Sequence, residues 1–169
     1  MSDLFSLIWN IVVYPLIYIL PAYVANGSPV IFGGGPPLDF GKTMFKKRIL
    51  GDNKTIRGTT MGILCGIAVG VWEYPALSYM LPVAVALSAG TIAGDLIGSF
   101  IKRRVGVKPG ASVPFMDQYG FFIMALLFAW PFGNMPTLYG LVFLTLITGL
   151  MHFATNVAAH RLKLKSVPW

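Results

Sequence analysis

One apolar segment of the chain carries polar side chains on a single helical face. In the stretch SAGTIAGDLIGSFIKRR, an acid, a hydroxyl and two cations follow one another at helical spacing: Asp95, Ser99, Lys102 and Arg103. Asp95 lies six residues before Ile101, which is roughly 9 Å along a helix from the end of the apolar run. An ionised carboxylate at that depth is strongly unfavourable unless it is paired, solvated or bound to a cation. The pattern indicates either an ion pair within a helix bundle or a metal site.

A second acid, Asp117, stands where the next apolar segment begins, after a basic stretch. A lone acid at a helix N-terminus usually interacts favourably with the helix dipole. Two carboxylates beside a basic loop are also what a divalent cation and a phosphate chain require, because oxygen ligands hold Mg²⁺ and cations neutralise phosphate oxygens. We therefore predict Asp95 and Asp117 as Mg²⁺ ligands and as catalytic residues. Lys102 is the third predicted catalytic residue, and Ser99 and Arg103 are predicted phosphate contacts.

The stretch GGGPPLDFGKTMFKKRILGDNKTIRG supplies a second cluster that could bind an anion. Its GKT triplet does not make a P-loop, because Pro36 stands where that motif needs a glycine and no strand pattern precedes it. Polar residues instead surround the start of the next helix, whose backbone N–H groups form a seat for phosphate. The predicted phosphate contacts here are Asn53, Lys54, Thr55 and Arg57, with Lys42 as a secondary one. Asp39 is a further secondary candidate of the loop, with no role assigned. A polar helix cap with interfacial anchors is the alternative.

The last apolar segment carries a weaker polar stripe, formed by Thr145, Thr148, His152 and Asn156. Hydrogen bonds between membrane helices are the expected role of such a stripe. The alternative is the wall of a cleft, with His152 as a general base. The single cysteine, Cys65, excludes an intrachain disulfide and a cysteine-based metal site.

The elements that position these residues follow from the composition, which is 56% hydrophobic and 11% charged with a mean hydropathy of +0.71. Soluble domains have about a quarter of their residues charged, so this is an integral membrane protein. Five apolar segments approach the ~20 residues that cross a bilayer as a helix. We predict an all-α polytopic fold, with one membrane domain spanning residues 1–169. The predicted helices are 4–25, 56–75, 79–101, 114–132 and 136–158, and the first is expected to be retained rather than cleaved as a signal.

The third segment also carries Gly90, Gly94 and Gly98 at every fourth position. A stripe of small residues lets another helix approach closely. That helix can belong to the same chain or to a second copy, so the stripe fits a monomer and a homodimer alike.

The chain has a net charge of +7, and nearly all of its basic residues lie in two loops, predicted at 26–55 and 102–113, and in the C-terminal tail. The basic residues there are Lys42, Lys46, Lys47, Arg48, Lys54, Lys102, Arg103, Arg104, Lys108, Arg161, Lys163 and Lys165, with Arg57 just after the first loop. Five alternating helices place all of them on one face, which the positive-inside rule makes cytoplasmic. We therefore expect a multi-pass cell-membrane protein with its N-terminus outside and its C-terminus in the cytoplasm. Attraction to anionic lipid headgroups is a further role of this charge.

The same residues carry a family resemblance. The blocks GDLIGSFIKRR and PFMDQ resemble the signature of the CDP-alcohol-forming cytidylyltransferases, which include the phosphatidate cytidylyltransferases. The block PPLDFGK with ILGDNKTIRG is similar to the archaeal branch, the CDP-archaeol synthases. The resemblance covers nearly the whole chain and includes the five-helix plan.

This resemblance implies a Mg²⁺-dependent enzyme that transfers CMP from CTP to an isoprenoid ether lipid phosphate, digeranylgeranylglycerol phosphate, and releases pyrophosphate. Asp95 and Asp117 match the acids that the family associates with metal and triphosphate. The S-x-x-K-R element and the first-loop element are matched by Ser99, Lys102, Arg103, Lys54, Thr55 and Arg57. The bacterial signature continues with K-D and H-G-G, both absent from VKPGASVPFMDQYG, which argues against phosphatidate as the acceptor.

Three other functions remain alternatives at this point. They are a CDP-diacylglycerol synthase acting on phosphatidate, a CTP-dependent lipid kinase that releases CDP, and a small transporter. A transporter would need polar residues across the whole membrane, whereas here they cluster at the cytoplasmic end. The expected partners are CTP, the lipid phosphate and the bilayer, with no nucleic acid.

Overall fold

The fold is described by a computed structural model that covers residues 2–107, 111, 113 and 115–164. The basic residues Lys108 and Lys165, and the predicted start of the fourth helix at Pro114, lie outside the described residues. Within them the chain is predominantly helical, as predicted.

Within the described residues, six α-helices follow one another in five continuous helical stretches. They are α1 (Ser2–Ile8), α2 (Tyr14–Phe32), α3 (Ile56–Glu73), α4 (Met80–Arg104), α5 (Met116–Ala129) and α6 (Leu138–Arg161). A π-helical segment, Trp9–Val13, joins α1 to α2, and a 3₁₀ turn, Trp130–Phe132, follows α5. Each apolar segment of the sequence therefore forms one helical stretch.

The first stretch differs from the prediction because α2 continues to Phe32, about two turns beyond the expected end at Ala25. The letters NGSP read as a turn, yet Pro29 lies inside the helix. A backbone surrounded by lipid must bond within its own helix, and neighbouring hydroxyls can satisfy the carbonyls that a proline leaves. Pro29 leaves the carbonyl of Ala25 without its helical N–H partner, and Ser28 Oγ donates to the adjacent carbonyl, Val24 O. The loop is therefore shorter than predicted and spans residues 33–55.

That loop also holds a small β-hairpin, which the all-α prediction did not include. Strand β1 (Thr43–Met44) pairs antiparallel with β2 (Lys47–Arg48), with Thr43 opposite Arg48 and Met44 opposite Lys47. A single bridge between Pro37 and Thr55 closes the loop at its base.

Three helical stretches are long and apolar enough to cross a membrane among the residues that the structure describes. They are Asp3–Phe32, Met80–Arg104 and Leu138–Arg161. Helix α5 has 14 residues, hence a length of about 21 Å, which is less than the ~30 Å of a typical hydrocarbon core. Helix α3 has 18 residues and a glycine-rich, less apolar sequence. Membrane character is thus clear in three stretches, and the predicted count of five crossings stays a prediction.

The core forms where α2, α4 and α5 meet, around Tyr18, Leu87 and Ala125. Helix α3 packs against α2 and α4 through a buried glycine face that the sequence analysis did not single out. A Cβ at Gly66 would lie 2.1 Å from Ser88 Oγ and 2.8 Å from Pro21 O. The buried glycines of this face are Gly58, Gly62, Gly66 and Gly70.

The predicted glycine stripe on α4 serves packing within the chain. A Cβ at Gly94 would lie 2.5 Å from Gly120 O and 2.8 Å from Phe121 Cα, both in the backbone of α5. Gly90 meets α5 in the same way, whereas a Cβ at Gly98 would only touch the Met116 side chain at 3.7 Å. The stripe thus holds α4 against α5, which brings the helix that carries Asp95 beside the helix that begins with Asp117.

We expect Gly94→Ala to destabilise the protein by about 1–3 kcal/mol, because the new methyl group overlaps backbone atoms that cannot move aside. The matched control is Gly98→Ala, which fits ordinary van der Waals space and adds helix propensity of at most about 1 kcal/mol. Thermal unfolding of both variants in the same detergent measures the difference. Equal melting temperatures for the two variants would contradict this account of α4 and α5.

Candidate active site

A buried carboxylate, Asp39, organises the loop of residues 33–55. Its side chain is 1% exposed and accepts hydrogen bonds from Arg48 at 2.6 Å and 3.3 Å. Three backbone N–H groups also donate to it, from Gly41 (3.1 Å), Leu50 (2.9 Å) and Gly51 (3.1 Å). The Arg48 guanidinium, helped by these amides against the effect of burial, holds the pKa of Asp39 well below its usual range. Asp39 is thus a structural centre of the loop.

The end of this loop fixes the position of Lys54. Leu38 N donates to Lys54 O at 2.7 Å, and Ile56 N donates to Pro36 O at 3.2 Å. The next residue, Thr55, is buried and caps α3, because its Oγ1 accepts from Gly58 N at 3.1 Å. The backbone of Lys54 is therefore held between a short bridge and a helix cap. Thr55 has the role of a cap, which was the alternative considered for this cluster.

Lys54 reaches across to the acid of α4. Its Nζ donates to both carboxylate oxygens of Asp95, at 2.7 Å and 2.6 Å. An ion pair at Asp95 was one of the two possibilities that the sequence left open, and its partner comes from the loop. The Asp95 side chain is 34% exposed, so that solvent and a ligand can reach it.

A second pair joins α4 to α5. Lys102 Nζ donates to Asp117 Oδ1 at 2.6 Å, and the two side chains are 15% and 20% exposed. The other oxygen, Asp117 Oδ2, accepts from Val113 N at 2.9 Å. The pairs Lys54–Asp95 and Lys102–Asp117 together form what we call the twin ion pairs. They place two carboxylates and two ammonium groups at the end of α4 that leads into the basic loop.

The remaining predicted site residues fall into two groups. Ser99 and Arg103 are buried on α4, and Arg103 Cδ lies 3.9 Å from the position of a Cβ on Gly51, hence beside the loop. Asn53, Arg57 and Lys42 are exposed. Within the described part of the chain, none of these three forms an ion pair or hydrogen bond with Asp95 or Asp117 through its side chain. They lie on the periphery of the candidate site.

Known proteins resemble this chain in both sequence and fold. The family model described as CarS-like, CDP-archaeol synthase, matches residues 8–169. A CDP-archaeol synthase of Pyrococcus furiosus is 51% identical over 160 residues, which are 90% of this chain and 95% of that protein. One of Methanococcus aeolicus is 41% identical over 174 residues, 94% of this chain and 97% of its own.

The chain belongs to the CDP-archaeol synthase family. A solved structure described as an intramembrane enzyme for archaeal membrane lipids biosynthesis superposes with a TM-score of 0.78 at 36% identity. The match covers 84% of this chain and 92% of that one. The family resemblance found in the sequence blocks is therefore confirmed.

Arg104 is a residue that the sequence analysis named only for its charge. Its guanidinium donates to three carbonyl oxygens of the hairpin, those of Met44, Lys47 and Arg48, and Lys47 Nζ donates back to Arg104 O at 2.9 Å. The guanidinium also lies 5.0 Å from the ring centre of Phe100. Arg104 therefore attaches the loop to α4 a second time, besides Lys54. The third base of the KRR triplet was the only signal for this role.

The polar stripe of α6 contacts two other helices, through Thr148 and His152. Thr148 Oγ1 lies 2.7 Å from Tyr23 OH of α2, as expected for an interhelical hydrogen bond. Thr145 bonds instead to Leu141 O of its own helix. His152 stacks on Phe121 of α5 with ring centres 6.5 Å apart, and its Nδ1 lies 3.1 Å from Asn156 Nδ2. These contacts match the packing role of the stripe.

Replacing the loop's central carboxylate tests its structural role. We expect Asp39→Asn to lower stability by about 2–4 kcal/mol at neutral pH, because asparagine leaves Arg48 without its buried partner. The pKa of Asp39 in the folded protein lies below its ordinary value of 3.8. Its contribution is therefore complete above that pH and lost as the pH falls through the lowered pKa. Melting temperatures of wild type and variant should differ by a constant amount above about pH 5 and converge in stronger acid.

Asp52→Asn is the matched control, because Asp52 contacts the same Arg48 at 2.6 Å but is 75% exposed. An exposed pair contributes at most about 1 kcal/mol. A loss in Asp39→Asn no larger than in the control, or one that persists unchanged in strong acid, would rule out the proposed role of Asp39.

Proposed function

We propose that the protein is a membrane cytidylyltransferase that transfers CMP from CTP to digeranylgeranylglycerol phosphate, giving CDP-archaeol and pyrophosphate. Membership of the CDP-archaeol synthase family supports the activity. The observation that carries the site is the twin ion pairs, at one end of a helix long and apolar enough to cross a membrane. A lipid phosphate held in a bilayer and a nucleotide dissolved in water can meet only at such an interface.

The twin ion pairs suit a substrate that carries both phosphates and a cation. Each lysine can leave its carboxylate and bind a phosphate oxygen, while the carboxylate binds a metal ion. Every charged group then keeps a partner of opposite charge. Groups of three or more metal-ligating side chains are absent from the described residues. Two carboxylates are nevertheless a suitable donor set for Mg²⁺, which binds one or two carboxylates and completes its shell with water and substrate phosphates. When bound, Mg²⁺ would neutralise charge on the triphosphate.

The chemistry needs little from the protein except position and charge. The lipid phosphate is already an anionic nucleophile, so no strong general base is required. One of its oxygens forms a bond to the α-phosphorus of CTP, and the bond to the departing pyrophosphate breaks. Lys54 and Lys102 would bind phosphate oxygens and hold the two substrates in line. Arg103 and Ser99, buried beside them on α4, would orient the same groups.

We further propose that all five helical stretches cross the cell membrane, with the N-terminus outside and the C-terminus in the cytoplasm. The loop of residues 33–55 contacts the end of α4 through Lys54 and Arg104, so the two basic loops share one face. This supports a single cytoplasmic surface for the positive charge. The isoprenoid chains would then lie in the bilayer with the headgroup at that surface.

Single cysteines in a Cys65→Ala background test this topology. A thiol reagent that cannot cross membranes, added to intact cells, should label the variants Ser6→Cys and Asn134→Cys. The variants Asp52→Cys and Leu162→Cys should react only after the cells are permeabilised. Labelling of position 52 or 162 in intact cells would contradict the proposed orientation. Protection of position 134 in intact cells would contradict the proposed count of five crossings.

Turnover by the purified protein tests the reaction and its site together. With CTP and Mg²⁺, we expect pyrophosphate release and a CDP-lipid from the geranylgeranyl ether lipid phosphate, and much less product from diacyl phosphatidate. Asp95→Asn and Asp117→Asn should each lower turnover by about 10²-fold or more, because each removes a carboxylate that would hold Mg²⁺ beside the reacting phosphates. Asp52→Asn is the control acid and should keep wild-type turnover.

The possible results separate the alternatives. Product mainly from phosphatidate would keep the mechanism and change the acceptor. Release of CDP with a phosphorylated lipid would indicate a lipid kinase. Near-normal turnover in either carboxylate variant would remove that residue from the site.

A further inference from the structure

The β-hairpin ends in a surface that the proposed reaction does not use. Phe45 is 84% exposed at the turn, and Phe40 and Met44 are exposed beside it. Two lysines, Lys42 and Lys46, are exposed on the same segment. We call these five residues the hairpin tip. Large apolar side chains grouped with cations on an exposed turn are typical of a contact surface rather than of a solvated loop.

The backbone of the tip is unusual for its sequence. Phe45 and Lys46 form a two-residue turn in which both have positive φ, 52° and 61°. Such turns favour Asn-Gly, because residues with bulkier side chains are strained at positive φ. A phenylalanine and a lysine therefore occupy positions where smaller residues would suit the fold better. Strain of this kind is characteristic of functional positions.

The position of the hairpin is set by α4. Arg104 holds three of its carbonyl oxygens, those of Met44, Lys47 and Arg48. On α4, Arg104 follows Ile97 and Ile101 at helical spacing, and both isoleucines are exposed. Since α4 is one of the helices able to cross a membrane, this exposed apolar face meets lipid. The hairpin is thus attached at the end of the lipid-facing side of α4.

The face of α4 that carries the proposed active-site residues is a different one from the face with Ile97, Ile101 and Arg104. Asp95 and Lys102 are directed toward Lys54 and Asp117 in the twin ion pairs. The hairpin tip is therefore attached on the side of α4 opposite the twin ion pairs, at the end of the apolar helix.

We propose that the hairpin tip anchors the loop to the bilayer by contacting anionic phospholipid headgroups. The apolar rings of Phe40 and Phe45 would bury at the boundary between headgroups and acyl chains, as the apolar residues of interfacial segments do. Lys42 and Lys46 complement the negative charge of the headgroup phosphates. Lys42, predicted from the sequence as a phosphate contact of the site, takes a lipid phosphate in this arrangement. The anchor holds the loop that carries Lys54 against the bilayer surface.

Nitroxide spin labels can measure the depth of the tip in the full-length protein. Phe45→Cys and, as a matched control, Asp52→Cys are labelled in a Cys65→Ala background. Both native side chains are largely exposed, so the labels fit without repacking. Each protein is reconstituted into vesicles of phosphatidylcholine alone or mixed with phosphatidylglycerol. Collision rates with oxygen, which concentrates in the bilayer, and with a nickel chelate, which stays in water, report the depth.

In vesicles with phosphatidylglycerol we expect the label at position 45 to be relaxed by oxygen and protected from nickel, while the label at position 52 shows the reverse. Lys46→Gln, or omission of phosphatidylglycerol, should move label 45 toward the aqueous pattern. Identical aqueous patterns at both positions would overturn the proposal. Insertion that is unchanged in neutral vesicles and in Lys46→Gln would overturn the role of the anionic headgroups. Dipolar broadening between labels at position 45 would overturn it in favour of contact with a second copy.

Discussion

The ion pair between Lys54 and Asp95 joins the loop of residues 33–55 to a helix that is able to cross a membrane, and the geometry of the site depends on it. Asp95 lies on α4, whose neighbours are fixed by the close approach of glycines. Lys54 lies at the end of a loop that is shaped by the five hydrogen bonds of Asp39. Neither half alone places an ammonium group beside an intramembrane carboxylate. The pair also gives Asp95 a cationic partner at a depth where an isolated carboxylate would be unfavourable.

Long helices and the family were predictable from the sequence, because apolar runs and motif blocks are local signals. The blocks GDLIGSFIKRR and ILGDNKTIRG were enough for the family, which the comparisons confirm. The end of α2 was not predictable, since NGSP has the letters of a turn and the helix there packs against the glycines of α3, which are distant in sequence. The glycine face of α3 was also overlooked, although Gly58, Gly62, Gly66 and Gly70 recur at every fourth position.

The site shows the same division between local and long-range information. The shared face of Asp95, Ser99 and Lys102 follows from helical spacing alone. The partner of Asp95 does not, because Lys54 is 41 residues away and reaches it only when the loop is folded. Asp39 and Arg104 were hard to identify for the same reason, since their partners are mainly backbone groups, which have no sequence signature. Residues that build a loop are less visible in a sequence than residues that line a helix.

The short length of α5 has a consequence for the membrane around the site. In the five-crossing arrangement, a helix of 14 residues with its 3₁₀ extension has its two ends closer together than the headgroup layers of an ordinary bilayer. A bilayer adapts to such a short span by thinning around it. Asp117 lies in the first turn of that helix, so the depression in the surface falls on one of the two carboxylates. A polar depression of this kind lets a water-soluble nucleotide descend to the lipid headgroup, while the lipid itself stays in its leaflet.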